Sequence, residues 1–341
     1  MSTPVSKPAP LRVAIGLNAV LAAIENERPK VLCVRDADGL LGLPYGPFDP
    51  ELHRTFEIGL REWVERQARL SLGYVEQLYT FGDKGREAPA AALVGGGARD
   101  RVVSVGYLTL APEPAAVSAP GAGWRDWYEF FPWEDWRDGE PASLKKAIQP
   151  ALDQWTKLAA DEAIASARRG RVRLAFGLDG AGWEEERALD RYELMYEAGL
   201  VAEAARDRAA DGSAKQAAIE ETGADMISDH RRILATAIGR LRGKLKYRTI
   251  IFELMPPTFT LLALQRAVEA IVGFRLHKQN FRRSVEQSGL VTRTRETAHE
   301  TGGRPAALFR AKRSALMDRA GKGLAIPRMK RAPSKAVRKK A

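Results

Sequence analysis

The chain has 341 residues, enough for about two domains with a sizeable core in each. It is 45% hydrophobic and 28% charged, has one cysteine and has no apolar run near the ~18 residues of a membrane span, which excludes a disulfide framework, a Cys-rich zinc cluster and a membrane-spanning helix. Its net charge of +11 is uneven: residues 271–341 hold 19 Lys+Arg against 4 Asp+Glu, and the first 270 hold 35 against 39, so a mildly acidic body is joined to a polyanion-binding end. The first eleven residues lack the continuous apolar region of a secretory signal, and the cytoplasm is the expected location.

Residues 11–24 and 31–35 read as strands of a hairpin around the turn 25–30. After a Gly/Pro-rich loop, Leu52, Phe56, Leu60, Trp63 and Val64 recur at helical steps, which predicts an amphipathic helix over 52–68. Residues 75–81 and 102–110 read as further strands. A Pro/Ala/Gly stretch at 111–123 marks a boundary before the aromatic cluster Trp124, Trp127, Tyr128, Phe130, Phe131, Trp133 and Trp136. The acidic residues around these rings would repel phosphate, so core or interface packing is expected rather than base stacking. Residues 143–225 read as several helices.

Helical spacing predicts a helix over 226–247, and the β-branched run 249–255, stopped by Pro256-Pro257, reads as a short strand. Thr260 is a good N-cap for a helix over 261–272 that ends at Gly273. A second helix over 276–288 turns Phe281 and Val285 inward, leaving Lys278, Gln279, Arg282 and Arg283 outward. Thr301-Gly-Gly-Arg-Pro305 and the strand-like run 306–310 follow. Helix, turn, short basic helix and β-hairpin make a winged helix-turn-helix, with Arg304 at the wing tip and long donors placed to span phosphates and base edges.

Several strings in this region, among them Asp229-His-Arg-Arg-Ile-Leu, Arg240-Leu-Arg-Gly-Lys-Leu-Lys-Tyr, Lys278-Gln-Asn-Phe-Arg-Arg283 and Gly303-Arg-Pro-Ala306, resemble the C-terminal half of Nudix-related transcriptional regulators of NAD metabolism. Tyr74-Val-Glu-Gln-Leu-Tyr-Thr-Phe-Gly-Asp83 and Arg101-Val-Val-Ser-Val-Gly-Tyr107 look like the sensor domain of that family. The roughly 85-residue helical insertion points to its alphaproteobacterial NAD-biosynthesis type. The resemblance implies an α+β chain, with a Nudix-like α/β/α sandwich at 1–120, an aromatic-rich helical insertion at 121–225, a linker helix and winged helix at 226–318, and a basic, disordered tail at 319–341. It also implies a homodimeric repressor on a double-stranded operator, with ADP-ribose, NAD or ATP as the effector, and no membrane partner.

In a working Nudix box, glutamates hold Mg²⁺ against a pyrophosphate. Here Arg61, Glu62 and Glu65 align, but His53 replaces the first glutamate, Arg66 replaces the second member of the Glu pair and Ala68 replaces the closing glycine. A cation in place of a metal carboxylate repels Mg²⁺ and attracts phosphate, so nucleotide binding without hydrolysis is expected, with no catalytic residue and no metal. A second, partial match at Glu184, Glu193, Glu197 and Gly199 is read as a chance spacing. Candidate effector contacts are Arg35, Tyr45, Phe48, Arg61, Phe81, Asp83 and Arg86, although Arg61 has possible partners on its own helix and Phe81 has the character of a core residue. Candidate DNA contacts are His277, Lys278, Gln279, Asn280, Arg282, Arg283 and Arg304; His230 is read as a buried hinge histidine. Two competing readings are an active Nudix pyrophosphatase with a DNA-binding end, and a nonspecific nucleic-acid binder using the tail 330–340.

Overall fold

A computed structural model describes residues 12–36, 38–86, 101–210, 212, 218–298, 306–312, 324, 326 and 329. The expected hairpin forms from β1 (Val13–Glu25) and β2 (Arg28–Arg35), joined by Asn26 and Glu27, both at positive φ. That backbone twist matches the twist of the flanking strands, so two residues suffice for the turn. β1 also pairs in parallel with β6 (Arg101–Leu110), and β5 (Tyr74–Phe81) lies antiparallel to β6. Short strands β3 (Leu41–Gly42), β4 (Tyr45–Pro47) and β7 (Gly123–Asp126) complete a seven-stranded sheet. β7 pairs with β2, so the sheet draws its last strand from beyond residue 120, where the sequence suggested the domain would end.

Side chains of β1 alternate between two buried faces, as the period-two geometry of a strand requires. Leu17, Ala19 and Leu21 face α1 (Phe56–Ala68) through its Leu60, Val64 and Ala68. Thr55 caps α1, its hydroxyl accepting from the Ile58 amide at 3.2 Å. Leu52, expected on the apolar face, precedes this cap and is 73% exposed, because residues 49–53 fold into a turn built on the Asp49 side chain.

The opposite face, with Val20, Ala22, Leu78, Phe81 and Leu108, joins a core containing Ile233, Leu234, Ile238 and Leu241 of α6 (His230–Leu245). That helix comes so close that a Cβ on Gly106 would lie 2.8 Å from Ile233. The linker helix is thus the second helical layer of the sandwich.

The insertion comprises α2 (Gln149–Lys157), α3 (Glu162–Phe176), α4 (Ala188–Glu197) and α5 (Ala202–Ala210). The aromatic cluster is core, as expected: Trp127, Tyr128, Phe130, Phe131 and Trp133 are all buried. Two buried charge clusters tie this region to α6. Glu134 accepts from Arg191 on α4 and Arg242 on α6, and Glu203 on α5 pairs with Arg231 on α6 at 3.1 Å. Arg191, Arg242 and Glu134 are fully buried. Burial alone would raise the Glu134 carboxyl, but the two guanidinium groups outweigh it and hold the group below its ordinary value.

Residues 249–255, expected to form a strand, instead make a turn of 3₁₀ helix over Ile250–Leu254. Its β-branched residues fit a strand locally, yet Ile250, Ile251, Phe252 and Leu254 are buried between α6 and the winged helix, and that packing decides the conformation. Of the tail expected to be disordered, 319–341, only Leu324, Ile326 and Met329 lie within the described residues. Leu324 is buried and donates its amide to the carbonyl of Leu245 at the end of α6, and Ile326 and Met329 pack against the same core.

Candidate nucleic-acid interface and sensor site

The helix-turn-helix begins at Thr260, whose hydroxyl accepts from the Ala263 amide at 3.0 Å and starts α7 (Leu261–Val272). Gly273 ends this helix at φ +85, where a Cβ would lie 2.3 Å from the carbonyl oxygen of Glu134. The turn to α8 (Lys278–Ser288) is built on Glu269, a carboxylate only 1% exposed. It accepts from the Leu276 amide and the Gln265 side chain, and pairs with Arg266 and Arg275. Against the effect of burial, these donors hold its carboxyl below the ordinary range. Sequence reasoning missed Glu269; its signal is an acid at the fourth residue from the end of a helix, where the macrodipole disfavours one.

Phe281 and Val285 seat α8, leaving His277, Lys278, Gln279, Asn280, Arg282 and Arg283 exposed along one side. Arg282 donates to Glu286 at 3.1 Å. β9 (Val291–Ala298) and β10 (Ala306–Ala311) form the wing hairpin, and β10 also pairs with the two residues of β8 (Phe259–Thr260). A cleft of about 500 Å³ lies between α7, α8 and this hairpin, lined by Gln265, Lys278, Arg282 and Arg293 among others. Arg293, Arg295 and Arg310 add exposed cations that the sequence reading did not single out, although the alternation Thr292-Arg-Thr-Arg295 carries the signal. Arg304 lies outside the described residues.

In the sensor, His53 accepts from the Asp49 amide at Nδ1, which leaves Nε2 facing Glu62 Oε2 at 3.3 Å. Arg66 pairs with the same carboxylate. Both residues that replace box glutamates therefore engage Glu62, one of the two that are retained with Glu65, and this donor set does not fit Mg²⁺. No group of three His, Cys, Asp or Glu arranged to hold a metal occurs among the described residues.

The candidate effector residues fall into two sets. Arg35 donates to the Gly39 carbonyl at 2.6 Å, and Arg61 pairs with Glu57 at 2.8 Å. Tyr45 exchanges backbone bonds with Gln67 and sets its ring edge-on to His230; Phe48 packs edge-on to Phe56. Phe81, Asp83 and Arg86 instead converge on α6: Phe81 lies beneath Arg232, and Asp83 pairs with that arginine. Arg86 covers the ring of Tyr196 at 3.6 Å, pairs with Glu193 at 2.9 Å and lies 3.5 Å from Asp229.

Residues 251–311 match the family model of the NrtR DNA-binding winged helix domain. The C-terminal domain is an NrtR-type winged helix. An ADPR responsive transcriptional repressor NtrR of Acinetobacter baylyi is 42% identical over 86 residues, covering 25% of this chain and 34% of that protein, so the match spans about a third of that relative's length. The crystal structure of Shewanella oneidensis NrtR superimposes with a TM-score of 0.52 at 20% identity, over 91% of this chain and 99% of that one. The same protein complexed with a 27mer DNA gives 0.51 at 20% identity, over 91% and 97%. The expected resemblance to Nudix-related regulators therefore holds in the winged helix and in the α+β fold.

Behind the NrtR-type domain, the start of α6 holds two buried titratable groups. His230 Nδ1 accepts from the Leu43 amide at 2.9 Å, and burial, with Arg206 adding to it, pushes the imidazole down to about 3. The histidine is buried, as expected, and that burial keeps it neutral. Asp229 is 2% exposed, and among the described residues neither carboxylate oxygen has a hydrogen-bond donor. Burial pushes its carboxyl up to about 7, against the pull of Arg86 and Arg232. A folded-state value above the unfolded value of 3.8 means that the folded chain holds an extra proton between about pH 4 and pH 7. Asp229 therefore lowers stability progressively as pH rises through that window. Asp229→Asn is expected to flatten the pH dependence of thermal unfolding there, and above about pH 7 to be more stable than the parent by on the order of 2 kcal/mol. A variant no more stable than the parent at about pH 8 contradicts this assignment.

Proposed function

We propose that the chain is a DNA-binding transcriptional regulator that represses NAD-biosynthesis genes, with a Nudix-like domain that senses ADP-ribose and does not hydrolyse it. One observation carries the reading: a winged helix with an exposed row of Lys278, Gln279, Asn280, Arg282 and Arg283 shares its packing helix α6 with a Nudix-like sheet in which Glu62, one of two retained box glutamates, is taken by His53 and Arg66. The Acinetobacter relative named as ADPR responsive supports ADP-ribose over NAD or ATP. The operator is double-stranded DNA, read by a homodimer in the cytoplasm; among the described residues, no helix is long and apolar enough to cross a membrane. The effector acts by linkage, since it can change operator affinity only by binding the DNA-competent and incompetent forms unequally.

Incubation of the purified chain with Mg²⁺ and ADP-ribose tests the sensing claim. The expected result is saturable binding of ADP-ribose, seen by calorimetry, with no release of mononucleotide. Turnover near the median enzyme rate of about 10 s⁻¹ would instead establish a Nudix pyrophosphatase carrying a DNA-binding end.

A further inference from the structure

Helix α4 of the insertion contacts the sensor and the seat of the winged helix within three residues of each other. On one side, Glu193 holds Arg86, in the loop after β5, at 2.9 and 3.1 Å, and Arg232 of α6 at 2.8 Å. Two residues earlier, Arg191 donates to Glu134, which also holds Arg242 of α6. Arg242 Nε donates in turn to the carbonyl of Ile271 at 2.8 Å. Tyr128 donates to the carbonyl of Ala270 at 2.8 Å, and the amide of Trp136 to that of Gly273 at 2.6 Å. The C-terminal carbonyls of α7, just before the turn into α8, are therefore anchored in the cluster that Arg191 joins.

The two ends differ in how easily they yield. The Glu134 cluster is fully buried and both of its carboxylate oxygens are paired, so it transmits displacement as a rigid unit. At the sensor end, Asp83, Glu193 and Asp229 face Arg86 and Arg232, and among the described residues Asp229 lacks a hydrogen-bond donor. That arrangement is partly open to water, with Glu193 29% and Asp83 57% exposed. An anionic ligand reaching Arg86 competes with Glu193 for the same donors.

We propose that α4 transmits the state of the sensor to the winged helix, with Glu193 as the positioning residue that reads Arg86 and Arg191 as the link to the seat of α7. The inference rests on the regulator reading and gives the insertion its role. It is tested on the full chain with ADP-ribose as the probe and a duplex from the chain's own upstream region. Operator Kd is measured with and without ADP-ribose, and ADP-ribose Kd by calorimetry. In Glu193→Gln, which keeps shape and removes charge, the effector-free operator Kd is expected to stay within about threefold of the parent. The ratio of the two operator Kd values should fall from the ~5- to 150-fold usual for coupled sites to within about twofold of one. Glu193→Asp should recover part of the ratio. A full ratio in Glu193→Gln overturns the inference, as does a parallel loss of both affinities with the ratio intact, which marks a merely structural role. No ratio in the parent chain overturns the regulator reading itself, so the two failures are distinguishable.

Discussion

Glu134→Ala is expected to destabilise the chain by about 3–5 kcal/mol, because it strands two guanidinium groups, Arg191 and Arg242, where neither has any exposure to water. The cost is that of an uncompensated buried charge and exceeds what the ion pairs themselves contribute, since taking three charged groups out of water already offsets most of their mutual attraction. Replacing the whole cluster with apolar residues of similar volume should therefore recover much of the loss. Denaturant titration of the single and triple variants reads both values. A Glu134→Ala variant within about 1 kcal/mol of the parent contradicts the description of the joint. The damage should also reach the winged helix, since Arg242 would lose the partner that orients it toward the carbonyl of Ile271.

The second large effect lies on α8. Arg282→Ala and Arg283→Ala are each expected to weaken operator binding by about 1–3 kcal/mol, or roughly 5- to 150-fold, if the side chain reads a base. A side chain that touches only phosphate gives a smaller loss, equal on specific and scrambled duplex, with the salt slope reduced by about one. Titrations at several salt concentrations separate the two roles. Both residues are exposed, and among the described residues Arg282 pairs with Glu286 on the next turn of the same helix, so neither substitution is expected to disturb folding. Unchanged operator affinity in both variants contradicts the assignment of α8 as the recognition helix.

Much of the winged helix was legible because its signals are local. Thr260 and Gly273 bracket α7 as caps at residues nameable from the sequence, and Phe281 and Val285 lie four apart on the buried side of α8. The strand expected at 249–255 failed for the opposite reason: its conformation is set by what Ile251 and Leu254 are buried against. Helix α6 is packed on nearly every side, between sheet, insertion and winged helix, so its apolar pattern could not reveal that it closes the sensor sandwich.

The candidate sensor site was legible only as a set of loops. Arg86 meets Glu193 across 107 residues of sequence, and Asp83 meets Arg232 across 149, separations that no spacing argument reaches. The same geometry accounts for the second Nudix-like spacing. Glu184 pairs with Arg187, Glu193 with Arg86 and Arg232, and Glu197 with Arg171, so the three glutamates serve different partners. The box at His53, Glu62 and Arg66 was legible because a charge reversal in a motif states its own chemistry: a cation placed beside a carboxylate neutralises it.

The central claim is that one chain reads DNA and a nucleotide and couples the two. The most direct measurement is equilibrium binding of the full chain to duplexes from its own upstream region and from NAD-synthesis promoters, against a scrambled duplex, at about physiological salt, with and without ADP-ribose. The account predicts binding to at least one natural duplex roughly 10³-fold or more tighter than to the scrambled one, and a shift of that affinity by at least about fivefold when ADP-ribose is added. Equal affinity for natural and scrambled DNA, or a selective affinity that ADP-ribose leaves unchanged, would contradict it.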